Sequence, residues 1–199
     1  SAEAAVHTET VEYHDGETVL EGYLAYDDAL QGKRPAILVV HEWKGLGAYA
    51  KRRAEQLAQL GYVAFAVDMY GKGVRAADHT EAGKLSGIYR NDRQLMRRRI
   101  QAGFDWLKAE EHADPTRLGA LGYCFGGTTV LELARSGANV LGVVSFHGGL
   151  GTSSPAAPGQ VQAKILVLHG ADDSFVSQEE VAAFEVEMKT AGVNYRLIQ

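Results

Sequence analysis

The sequence predicts an α/β fold: a mostly parallel, doubly wound sheet entered through an N-terminal antiparallel hairpin. Three observations predict it. Short, wholly apolar runs such as Ala36-Ile37-Leu38-Val39-Val40 have the character of strands buried on both faces. Amphipathic stretches of helical period separate those runs. Chemistry-bearing clusters, namely His41-Glu42, Asp68 to Tyr70, Cys124, His147 and Asp172-Asp173, fall just after the runs, at the strand ends where such sheets bind ligands.

Taken in order, Thr8 to Tyr26 alternates apolar and polar residues around the turn chemistry of His14-Asp15-Gly16-Glu17, which makes a hairpin. Pro35 marks entry to the strand 36–40. A helix is predicted from Ala48 to Leu60, with Ala50, Ala54, Leu57 and Ala58 on one face, stopped by Gly61. Tyr62 to Val67 is the next strand. Lys72 to Asn91 is polar and Gly-punctuated and reads as an excursion with weak helical content. Asp92 to Glu110 carries Met96, Ile100, Gly103, Phe104 and Leu107 at helical spacing, with Arg97-Arg98-Arg99 read as a solvated flank. Asp114-Pro115 closes that unit. Strands follow at 118–123, 140–146 and 164–169, helices at 125–136 and 178–191, and a final strand starts at Asn194.

With 199 residues, 46% of them hydrophobic, the chain is expected to form a single domain over 1–199. A net charge of −5 argues against a nucleic-acid partner. Cys124 is the only cysteine, so an intramolecular disulfide and a Cys-based zinc cluster are both excluded. No apolar run is long enough to cross a bilayer. The expectation is a cytoplasmic protein, monomer or homodimer, with no metal or organic cofactor. The small-residue start Ser1-Ala2-Glu3-Ala4-Ala5 keeps the periplasm open.

The stretch around which everything else is arranged is Gly122-Tyr123-Cys124-Phe125-Gly126-Gly127. An apolar run ends there at a cysteine bracketed by glycines, the pattern of a strand-to-helix turn that lifts one side chain into an exposed, strained position. Free N–H groups and the dipole at the start of the following helix favour a thiolate. The inference is a reactive sulfur.

This elbow, the loop Glu42-Trp43-Lys44-Gly45 and the segment Gly170-Ala171-Asp172-Asp173-Ser174-Phe175-Val176 together resemble the dienelactone hydrolases, over nearly the whole chain. The resemblance implies an α/β-hydrolase fold. It further implies Cys124 as nucleophile, Asp173 rather than Asp172 as triad acid, and Glu42 as the carboxylate that contacts the resting thiol. The backbone N–H groups of Trp43 and Phe125 would form the oxyanion hole. Tyr70 and His147 are candidates for the substrate pocket, and Arg75, Arg90 and Arg93 for a substrate carboxylate.

In the family the triad histidine follows the strand after the acid's helix, whereas this sequence ends within that strand at Gln199. The expectation is that the functional protein is longer, or that a neighbouring chain supplies the base, with His147 as the alternative. His41 is expected either to support the site residues from behind or to pack, and His169 to end a strand. The predicted reaction is hydrolysis of a carboxylic ester or lactone through a thioester. The same thiolate would serve a promiscuous aryl-ester or phosphotriester hydrolase. A non-catalytic binding or redox-sensing module is the reading from a different class.

Overall fold

The computed structural model describes residues 5–170 and 174–199. The alternating segment folds as β1 (Val6–Asp15) and β2 (Thr18–Asp27), paired antiparallel with Tyr13 opposite Leu20. Gly16 takes the positive φ, 57°, that the tight turn demands. β3 (Arg34–Val40), β4 (Val63–Ala66), β5 (Ala113–Tyr123), β6 (Gly142–Phe146), β7 (Lys164–Leu168) and β8 (Tyr195–Ile198) complete one eight-stranded sheet in the order β1-β2-β4-β3-β5-β6-β7-β8. β2 meets β4 antiparallel, and every pair from β4 onward is parallel.

The helices are α1 (Ala48–Gln59), α2 (His79–Arg90), α3 (Arg93–Ala109), α4 (Phe125–Arg135) and α5 (Gln178–Ala191). α1 lies on one face, where Ala50, Ala54 and Ala58 meet Val39, Ala64 and Ala66 in a core of small side chains. The larger core on the opposite face packs Met96, Ile100 and Phe104 of α3, Val130 and Leu131 of α4, and Phe184 and Met188 of α5 against Leu38, Phe65 and Val143. Helices on both faces of a largely parallel sheet constitute the predicted architecture.

Three local readings need correction. Lys72 to Asn91 contains a full three-turn helix, α2, despite Gly83 and Gly87. Its N-terminus is capped reciprocally: the Asp78 carboxylate accepts from the Glu81 N–H at 2.9 Å and the Glu81 carboxylate accepts from the Ala77 N–H at 2.7 Å, while Ala82, Ser86 and Tyr89 are buried. Asp114-Pro115 lies inside β5, at the irregularity between the pairs Arg34–Ala113 and Ala36–Leu118, where proline's missing donor is tolerated.

Nor is the arginine triplet a solvated flank. Arg99 is buried, with its guanidinium on Asp15 at 2.9 Å, the Met69 carbonyl at 2.8 Å and the Tyr89 hydroxyl at 2.9 Å. Arg97 reaches the buried Glu132 at 3.3 Å and the Ser154 carbonyl at 2.8 Å, leaving Arg98 as the exposed member.

Candidate active site

β5 leads into α4 through Cys124, whose φ of 57° and ψ of −114° form the sharp corner. Only glycines fit around it. A Cβ on Gly122 would stand 2.0 Å from the Gly126 carbonyl oxygen, one on Gly126 2.2 Å from that of Val40, and one on Gly127 2.5 Å from Ser145 Oγ. The elbow is thus jammed between the ends of β3 and β6. Cys124 N–H donates to the Phe146 carbonyl at 2.7 Å, and the side chain is exposed on the rim.

Facing the elbow is the loop after β3. His41 is buried and its Nε2 accepts the Met69 N–H at 3.1 Å, so Nδ1 carries the proton it donates to the Glu42 carbonyl at 2.6 Å. Desolvation pushes its pKa down to about 4 and keeps the ring neutral, consistent with either expected role. Glu42 is exposed; on the elbow strand, burial raises the Tyr123 phenol and the Glu42 charge adds a smaller push in the same direction. Among the described residues the N–H groups of Trp43 and Phe125 have no protein acceptor. Tyr70 is buried against the Phe125 ring, beside the elbow. Its hydroxyl donates to the Trp43 carbonyl at 2.7 Å and burial holds its phenol well above the usual range.

The three arginines separate cleanly. Arg93 is spent on Glu132, the Gly151 carbonyl and the Arg90 carbonyl. Arg75 is exposed and packs along Gly45 and Gly47. Arg90, at the end of α2, stacks its guanidinium over the Phe125 ring at 5.5 Å and beside Gly149, close to the elbow. His147 follows Phe146 at the rim, exposed, with φ of 55°. His169 lies just past β7 and is buried. Asp172 and Asp173 lie outside the described residues.

Sequence reasoning passed over the cluster behind this rim. Glu132 is buried and meets Arg135 at 2.8 Å, Arg97 at 3.3 Å and Arg93 at 3.6 Å, while these arginines hold the carbonyls of Leu150, Gly151 and Ser154. Its signal was a lone acid inside the apolar run Val130-Leu131-Glu132-Leu133-Ala134.

The model for the dienelactone hydrolase family matches residues 20–199. The chain belongs to the dienelactone hydrolase family. A crystallised dienelactone hydrolase-like promiscuous phosphotriesterase from metagenomic libraries superposes with a TM-score of 0.93 at 39% identity, covering 98% of this chain and 81% of that one. Protein usf of Aquifex pyrophilus is 28% identical over 192 residues, 94% of this chain and 81% of its own length. A protein of Aquifex aeolicus, provisionally named a carboxymethylenebutenolidase, is 29% identical over 175 residues, 86% of this chain and 74% of its own length. This family member is therefore a hydrolase of the α/β type. Among the described residues no helix is long and apolar enough to cross a membrane.

Proposed function

We propose that this protein cleaves small carboxylic esters or lactones through a thioester on Cys124. The observation that carries the reading is an exposed sulfur at the corner that opens α4, facing a loop and a helix start whose N–H groups at Trp43 and Phe125 have no protein acceptor.

In the first step the Glu42 carboxylate takes the thiol proton and the sulfur attacks the substrate carbonyl, forming the S–C bond. The developing oxyanion accepts from the two backbone N–H groups, donors already in place where the charge develops. Collapse breaks the C–O bond, and the departing oxygen takes the proton back from Glu42. In a lactone that oxygen stays tethered to the acyl group. Water then adds to the thioester, releasing the carboxylic acid and restoring the thiol. Asp173 is the carboxylate that would orient the imidazole for this second half. Within residues 1–199, His147, exposed at the rim just after β6, is the alternative base.

Arg90 gives the pocket a preference. A guanidinium over the Phe125 ring, with Arg93 and Arg97 already paired with Glu132, stands close to the elbow and is suited to pair with a substrate carboxylate, so anionic acyl groups are favoured. The 39% identity to a promiscuous phosphotriesterase supports a side activity on aryl phosphotriesters at the same sulfur. Rates of Cys124→Ala on a lactone, an aryl acetate and an aryl phosphotriester test both. The proposal predicts loss of all three, and retained turnover refutes it.

A further inference from the structure

We infer that Tyr70 is a positioning residue that sets the oxyanion hole from beneath, an inference that rests on the reading of Trp43 and Phe125 as its donors. Trp43 and Phe125 belong to different elements, the loop after β3 and the first turn of α4, so nothing in the chain's connectivity fixes the spacing between their N–H groups. Tyr70 touches both. Its hydroxyl donates to the Trp43 carbonyl at 2.7 Å, and its ring lies 5.5 Å from that of Phe125. The peptide whose oxygen Tyr70 holds is the one after Trp43, and fixing that plane limits how far the Trp43 residue turns.

Tyr70 is itself held on every side. Its N–H and that of Gly71 both donate to the Asp68 carboxylate at 3.0 Å. The preceding residue, Met69, gives its N–H to His41 at 3.1 Å and takes a bond from Arg99 at 2.8 Å. Its ring packs edge-on to His41 at 5.0 Å and stacks on Tyr89 at 5.5 Å, and the Tyr89 hydroxyl accepts from Arg99. A buried phenol anchored this heavily, with its one donor spent on the carbonyl of an oxyanion-hole residue, is suited to hold geometry. It acts through Trp43 and Phe125.

The test compares Tyr70→Phe with Tyr13→Phe in the intact chain. Tyr13 is the matched control, since its buried hydroxyl bonds the main chain of Asp68 and makes no bond to Trp43. For Tyr70→Phe the expected result is a fall in kcat of about 10- to 100-fold with KM within about twofold. A parallel loss is expected in affinity for an aryl trifluoromethyl ketone, whose adduct with the thiolate presents an oxyanion to the same two N–H groups. Tyr13→Phe is expected to lower the melting temperature while leaving kcat and the ketone affinity within about twofold. Replacing Tyr70 by 4-aminophenylalanine restores a donor at the ring's end and is expected to recover most of kcat. Unchanged kcat in Tyr70→Phe, or equal losses in Tyr13→Phe, overturns the inference. Full turnover in Cys124→Ala refutes the underlying reading instead, so the two failures are distinguishable.

Discussion

Gly126, in the first turn of α4, sits so close to Val40 at the end of β3 that a Cβ there would lie 2.2 Å from the Val40 carbonyl oxygen. Backbone meets backbone, and no flexible side chain is available to yield. Gly126→Ala is therefore expected to cost more than about 3 kcal/mol, because relief requires moving α4 or β3 as a whole. Urea denaturation and soluble yield check it, and a variant of near-native stability would contradict the packing.

Acid should weaken the fold through His41. The folded protein keeps this buried imidazole neutral down to about pH 4, whereas an unfolded chain protonates it near pH 6.5. Its contribution is present in full above pH 6.5, declines as pH falls toward 4 and levels off below that. The loss amounts to about 3 kcal/mol. Denaturation from pH 7.5 to 4 in the wild type and in His41→Gln measures it. The slope between pH 6.5 and 4 should be shallower in the variant, since glutamine does not titrate.

Removing the buried carboxylate of Glu132 leaves three arginines facing one another without their shared anion. Glu132→Ala is expected to destabilise by roughly 3–5 kcal/mol and to lower the melting temperature by about 10 °C or more. Glu132→Gln, which keeps the shape and part of the hydrogen bonding, should lose less. Calorimetry of the two variants separates charge from volume.

The role of Arg90 is read from substrate choice. Arg90→Gln should lower kcat/KM on a carboxylate-bearing ester by about 10- to 100-fold relative to its neutral amide analogue, the value of a charge-assisted hydrogen bond. An equal effect on both esters would remove Arg90 from the pocket.

How much of this was legible in the sequence follows from what each feature depends on. The elbow was legible because its constraint is local: Gly122, Gly126 and Gly127 are needed by steric contacts that a short motif encodes. The strands were legible because burial on both faces writes itself as an unbroken apolar run. α2 was missed because Gly83 and Gly87 mask its period, and its stability comes from the Asp78–Glu81 cap and three buried residues. Arg99 and Glu132 were misread or passed over because a charge is solvated or buried according to partners distant in sequence, here Asp15 and Tyr89 for the first and three arginines for the second. The strand-end position of Tyr70 pointed to the pocket but not to its hold on the loop after β3. Its bond to Trp43 spans 27 residues and only the folded chain reveals it.

The central claim is a covalent acyl group on one sulfur. Rapid acid quench of the enzyme turning over an aryl ester, followed by intact-mass and peptide mass spectrometry, tests it most directly. The account predicts a transient mass increase equal to the acyl group, located on Cys124, that forms and decays at rates compatible with kcat. Turnover with no adduct at any time, or an adduct on another residue, would contradict it.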